Sequence, residues 1–164
     1  MKRLYLIRHA KSSWDDPDLA DFERPLNKRG KEEAPAMGKR LKKSKVQPDL
    51  ILSSPAKRAL KTTKIIAKEL DFPKKQTVTD EAIYEAGVSA LLNVIRNIDD
   101  AFQQVLLCGH NPGLTDLAQY LTNVRIDNIP TCGVFCIDFD LQSWKKVTEG
   151  KGIFVFFDYP KHHE

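Results

Sequence analysis

Four side chains in this 164-residue chain have the types and the placement to handle a tetrahedral anion: Arg8, His9, Arg58 and His110. Arg8 and His9 directly follow the apolar run Leu4-Tyr5-Leu6-Ile7, His110 follows Val105-Leu106-Leu107-Cys108 after one glycine, and Arg58 comes soon after Leu50-Ile51-Leu52. Such runs read as buried strands, and in an open α/β sheet ligands bind in the crevice beyond the carboxyl ends of the strands. The chemistry follows from the residue types. Guanidiniums offer paired donors to phosphoryl oxygens, a protonated imidazole adds a cation where charge spreads in the transition state, and a neutral imidazole nitrogen attacks phosphorus. His9 is therefore the expected nucleophile, passing through a phosphohistidine intermediate, with Arg8, Arg58 and His110 as the phosphate pocket. Cations beside His9 lower its pKa and keep the attacking form populated.

The elements that must position these groups can be read in order. Lys11 to Pro25 is polar and irregular, carries Asp15, Asp16, Asp18, Asp21 and Glu23, and is expected to drape over the crevice as a loop. Asn27 can cap a helix with Ala34, Met37 and Leu41 at helical spacing, and Pro35 predicts a break into a short helix and a second one beginning there. Lys39 to Lys45 is a basic C-terminal turn. Ser53-Ser54-Pro55 supplies a cap and a first-turn proline for a helix whose inner stripe is Ala59, Thr63, Ile66, Ala67 and Leu70, and whose Lys57, Lys61, Lys64 and Lys68 read as a solvated face. Residues 76–79 are expected as an edge strand, 80–85 as a loop, and Val88, Leu91, Leu92, Ile95 and Ile98 as an amphipathic helix. Gly109-His110-Asn111-Pro112 makes a tight turn before a helix faced by Leu114, Leu117, Ala118 and Leu121. Residues 133–139 and 152–157 suggest a late hairpin turning near Ser143-Trp144. The whole predicts an α/β three-layer sandwich, a mostly parallel central sheet with helices on both faces, in one domain spanning 1–164. The paired His162 and His163 could bind a metal, although a frayed terminus explains them as well.

Composition narrows the classes. Lys and Arg number 26 against 22 Asp and Glu, a formal charge of +4, which favours anionic ligands. Acidic residues are scattered among the lysines and no aromatic stacking series accompanies them, so no nucleic-acid partner is expected. Cys108, Cys132 and Cys136 form no even framework, and a reducing, cytoplasmic setting is expected. The apolar start is too short for a signal sequence, and no later run reaches membrane-spanning length, so no membrane association is expected either. A metal held by His9 and His110 is the rival use of that pair, but no third ligand at zinc spacing is evident, and arginines beside it would repel a divalent cation. Serine catalysis lacks a nucleophile-elbow context around Ser12, Ser13, Ser53 or Ser54.

Three blocks together resemble the histidine phosphatase superfamily, with its phosphoglycerate mutase-like fold: Arg8-His9-Ala10, Ser54-Pro55-Ala56-Lys57-Arg58-Ala59 with Thr62, and Gly109-His110-Asn111-Pro112. The likeness continues through Arg24-Pro25-Leu26, Gly30, the Tyr84 region, Thr131, Trp144 and Pro160. Short length and the Gly-His-Asn-Pro block make the chain most similar to SixA-type phosphohistidine phosphatases. The resemblance implies His9 as the phosphorylated residue and Arg8, Arg58 and His110 as the phosphate pocket. Ala10 stands where the family usually has glycine. Ser12-Ser13-Trp14-Asp15 stands where mutase-like members have Ser-x-Trp-Asn; Ser12 can donate to a phosphate oxygen, ionised Asp15 cannot, and Trp14 reads as loop packing. The resemblance also implies a glutamate general acid, which Glu81, with Tyr84 three residues on, matches better than Glu85; Asp15 is a third candidate. The expected substrate is phosphohistidine on a protein, with a small phosphate monoester as the alternative and a non-catalytic phosphate-binding module as another class. No cofactor or metal is required, and a monomer is expected.

Overall fold

The computed structural model describes residues 1–163; the side chains of His162 and His163, and with them the metal-binding alternative for that pair, lie outside the described residues. Six strands form one sheet: β1 (Lys2–Arg8), β2 (Leu50–Ser53), β3 (Thr77–Thr79), β4 (Gln104–Gly109), β5 (Val134–Phe139) and β6 (Ile153–Asp158), in the order β3-β2-β4-β1-β5-β6. The β3-β2, β2-β4 and β4-β1 pairs are parallel, and β5 and β6 are joined to β1 as an antiparallel extension. Four helices accompany them: α1 (Lys28–Lys43), α2 (Lys57–Glu69), α3 (Val88–Arg96) and α4 (Gly113–Thr122).

The strand order explains which helix lies where. From β1 through β2 to β3 the chain steps outward in one direction, so right-handed crossovers put α1 and α2 on one face. The return to β4, between β2 and β1, reverses direction and puts α3 on the other. The two cores record this alternation. Tyr5, Ile7, Ile51, Leu106 and Cys108 pack with the buried residues of α1 and α2, whereas Leu4, Leu6, Leu50, Leu52, Val105 and Leu107 pack with those of α3 and α4. Runs that are apolar at every position are what a sheet covered on both faces requires. The expected three-layer α/β sandwich is therefore the observed one.

Several local readings change. Residues 28–43 form one helix, not two: Asn27 Oδ1 accepts from Gly30 N at 2.8 Å as its cap, and Pro35 sits within it. Proline removes only one backbone bond, and burial of Ala34, Met37, Gly38 and Leu41 along a continuous stripe outweighs that loss. At Gly30 a Cβ would overlap the Lys11 carbonyl oxygen, so only glycine lets α1 rest on the backbone that leaves β1. α2 begins at Lys57 rather than at Pro55, with Ala56 at the cap position. The late hairpin is observed, β5 and β6 pairing antiparallel, and its long connection is anchored at Trp144, which is fully buried with Nε1 donating to Phe102 O at 2.9 Å. All three cysteines are buried and unpaired. Among the described residues no helix is long and apolar enough to cross a membrane.

Candidate active site

Because β2, β4 and β1 are neighbours in parallel, their carboxyl ends lie side by side: Arg8 is in register with Gly109, and Ser53 with Cys108. The next residue on each strand is His9, His110 or, one step short, Ser54. Backbone bonds hold this edge, His9 N donating to Gly109 O at 3.2 Å and Ser54 N to Cys108 O at 3.0 Å. The His9 and His110 rings face one another with centroids 5.2 Å apart, tilted by 52°. Arg58, the second residue of α2, is only 5% exposed, and both histidines feel its charge and that of Arg8. The structure thus brings Arg8, His9, Arg58 and His110 together.

The two imidazoles are held differently. His9 Nδ1 lies 2.8 Å from the carbonyl oxygen of Ala10, which can only accept, so Nδ1 carries the proton and Nε2 keeps its lone pair. His110 Nε2 lies 2.7 Å from Ser54 Oγ, which already accepts from Ala56 N at 3.2 Å. His110 Nε2 is the one acceptor for the Ser54 hydroxyl proton among the described residues, and with that bond made the neutral His110 carries its own proton on Nδ1. That nitrogen is buried without a hydrogen-bond partner among the described residues, as are Arg8 Nε and Arg58 Nε. These three buried donors cluster around one pair of rings, and an anion would satisfy them. Burial first, and the neighbouring cations second, push the His9 pKa down to about 3 and that of His110 down to about 4.

Further side chains hold the arginines. Arg58 Nη1 donates to Asp21 O at 2.7 Å and Nη2 to Asp21 Oδ2 at 3.0 Å, so its outer nitrogens are engaged and Nε is left for a ligand. Arg8 Nη1 donates to Ile129 O at 3.1 Å. Thr62 Oγ1 accepts from Ala10 N at 2.9 Å and donates to Arg58 O at 2.8 Å, tying the end of β1 to the first turn of α2.

Residues 4–91 match the profile of the histidine phosphatase superfamily (branch 1). The chain belongs to that superfamily. An uncharacterized chloroplastic protein of Arabidopsis thaliana is 33% identical over 153 residues, covering 88% of this chain and 70% of that protein. Among solved structures, a protein of Agrobacterium tumefaciens assigned as the phosphohistidine phosphatase SixA is similar at a TM-score of 0.83 and 28% identity, covering 97% of this chain and 98% of its own. A 2,3-bisphosphoglycerate-dependent phosphoglycerate mutase of Methylobacterium sp. is 35% identical over 107 residues, but these cover 60% of this chain and 47% of the mutase. Superfamily membership together with the SixA-type likeness supports a phosphatase, a hydrolase of phosphoryl groups.

In this histidine phosphatase the loop after β1 contributes a residue that its sequence does not single out. Asp21 accepts from Arg58, from Arg24 Nη2 at 3.1 Å and from the Tyr84 hydroxyl at 2.6 Å. Burial raises its pKa, but these three donors outweigh that and hold the carboxyl well below the usual range. Tyr84 is pushed up to about 12 by burial and by Asp21, and its ring meets His110 edge-on at 5.5 Å. Ser12 is buried, its Oγ accepting from Arg24 Nη1 at 2.7 Å, which leaves the hydroxyl proton to donate elsewhere. Trp14 departs from its expected packing role: it is 71% exposed, covered on one side by the Arg24 guanidinium, 3.5 Å from the ring centroid. Asp15 and Glu81 are both exposed, and among the described residues neither carboxyl has a hydrogen bond or ion pair.

Proposed function

We propose that the chain is a phosphohistidine phosphatase in which His9 is transiently phosphorylated and the phosphoryl group comes from histidine on a protein. The observation that carries this is the bond that keeps the proton on His9 Nδ1, leaving the Nε2 lone pair beside three buried donors without partners. Nε2 attacks phosphorus, the bond between phosphorus and the substrate imidazole breaks with its electron pair going to that nitrogen, and the departing imidazole takes a proton from solvent water. Water then attacks the phosphorylated His9, releasing inorganic phosphate and returning the neutral ring. Arg8 Nε, Arg58 Nε and His110 Nδ1 contact the equatorial oxygens in both steps, and Ser12 can add a fourth donor. Two guanidiniums supply the positive charge that a metal ion supplies in other phosphoryl-transfer sites, so the reading calls for no cofactor, and chelators leave turnover unchanged.

Glu81 is assigned to protonating poorer leaving groups, such as the alkoxide of a phosphate monoester. An imidazole leaving group protonates readily and depends less on a positioned acid. Phosphohistidine protein and p-nitrophenyl phosphate, offered to wild type and His9→Ala, test the proposal. Turnover of the first by wild type and of neither by the variant is expected. A His9→Ala protein that still releases phosphate would sink the covalent route, and a wild type that binds phosphate without turnover would make the chain a binding module.

A further inference from the structure

Beside the first turn of α2 lies an open groove of about 560 Å³ whose charged lining is entirely lysine: Lys31, Lys57, Lys61, Lys64 and Lys74. It shares Lys61, Lys64 and Lys74 with a second hollow of about 610 Å³ that adds Lys68, so the two form one channel. The floor is apolar, with Leu26 and Leu60 at one end and Phe72 at the other. Asp71 is the one carboxylate of the lining, and Lys42 already holds it at 2.6 Å.

Two features separate these lysines from an ordinary solvated face. First, the six are exposed and lie together without an ion-pair partner among the described residues, and the one carboxylate beside them, Asp71, is already taken by Lys42. Protein surfaces ordinarily intersperse the two signs, and a groove lined by one sign focuses its field on an oppositely charged ligand. Second, the channel is lined by the residues next in sequence to two arginines of the site. Lys57 adjoins Arg58, and Pro25 adjoins Arg24, the two arginines that Asp21 holds together. From Lys57 to Lys68 the helix rises about 16 Å, the span of about five residues of extended chain.

We propose that this lysine channel docks an acidic stretch of the phosphoprotein substrate, next to the phosphohistidine that enters the site. The inference rests on the reading of a protein-borne substrate given above. Carboxylates of the docked segment pair with the lysine heads, while its aliphatic carbons lie on Leu60 and Leu26. With Phe72 as its one aromatic ring, the floor offers no stacking series for bases, which sets an acidic polypeptide ahead of a nucleic acid.

Two histidine peptides, chemically phosphorylated and alike except for a flank of glutamates or of glutamines, separate the possibilities. For wild type the glutamate flank lowers KM about tenfold, the sum of a few exposed ion pairs, with kcat unchanged. The triple variant Lys61→Gln, Lys64→Gln, Lys68→Gln loses that advantage while keeping wild-type turnover of p-nitrophenyl phosphate, and added salt erases it as well. Equal KM values for the two peptides with wild type, or an advantage that survives the triple variant, overturns the docking proposal and leaves the proposed reaction standing. If neither peptide is cleaved, the reaction fails. Docking is then read alone, by anisotropy of a dye-labelled glutamate peptide: binding that the triple variant weakens supports it, and tighter binding of an oligothymidylate of equal charge overturns it.

Discussion

The ends of β1 and β4 carry the same residue in the same register position, yet the two histidines are wired in opposite senses. His9 gives its Nδ1 proton to a carbonyl on its own strand exit, while His110 receives a hydrogen bond at Nε2 from a serine on a different strand end. The first arrangement leaves a lone pair facing the site, and the second leaves an N–H. Burial and the arginines lower the proton affinity of both rings, so charge alone does not tell them apart. What separates attacker from donor is the neighbour that fixes each tautomer.

The largest effect should come from breaking the attacker. His9→Ala is expected to lower kcat by at least about 10⁴-fold and to abolish the acid-labile phosphoenzyme, since no other group supplies a covalent route. His110→Ala removes one donor to a phosphoryl oxygen and should cost about 10²–10³-fold in kcat. The phosphoenzyme still forms on His9, more slowly. Rapid-quench labelling of both variants checks the pair: a labelled His9→Ala protein, or a His110→Ala protein that never labels, would erase the distinction.

The strand ends were legible in the sequence because their signals are local. Apolar runs of three or four residues, each followed by a polar turn, imply a buried parallel sheet, and the catalytic-type residues sit where such sheets bind ligands. Asp21 was not legible. It is one of five carboxylates in a loop without periodicity, and only the folding of that loop onto α2 and Tyr84 sets it apart from Asp15 or Asp18. Ser54 was half legible: it does accept from a backbone N–H near the start of α2, as a capping residue should. Its more consequential bond to His110 spans 56 positions of sequence and follows from β2 and β4 lying side by side. Pro35 shows the opposite failure, where a sound local rule loses to a long buried stripe.

Acidity gives the next effect, and its sign follows from the neutral, buried state of both rings. Unfolded, each histidine takes up a proton near 6.5; folded, His9 does so only near 3 and His110 near 4. Between those values the unfolded chain binds more protons, so stability falls as pH drops below about 6.5 and is flat with respect to these groups above it. Thermal melts from pH 8 to 4 should show this, with a shallower decline in His110→Gln. Sulfate, a dianion over the whole range, favours the protonated ring, so its affinity should rise as pH falls. Because His110 is the ring read as donating to the anion, that rise should flatten in His110→Gln and persist in His9→Ala.

Removing the neighbour that sets the tautomer is a gentler way to blur the comparison. In Ser54→Ala the proton on His110 is free to move between its nitrogens, and the loss of one hydrogen bond predicts about a fivefold fall in kcat. Nitrogen-15 shifts of the His110 ring would show a mixed tautomer, with His9 unchanged. A pure tautomer in the variant would mean that another contact sets it.

The smallest effect on phosphohistidine turnover is expected outside the two rings, at Glu81. Glu81 opens the short turn that ends at Tyr84, whose ring edge meets His110. With an imidazole leaving group, Glu81→Gln should change kcat by no more than about twofold; with phosphoserine, whose alkoxide needs a proton, the loss should approach 10²-fold. The ratio of these two losses is the informative quantity, since a mere loosening of the turn would slow both substrates alike. Equal losses would leave leaving-group protonation to water and remove any catalytic difference between Glu81 and the other exposed loop carboxylates.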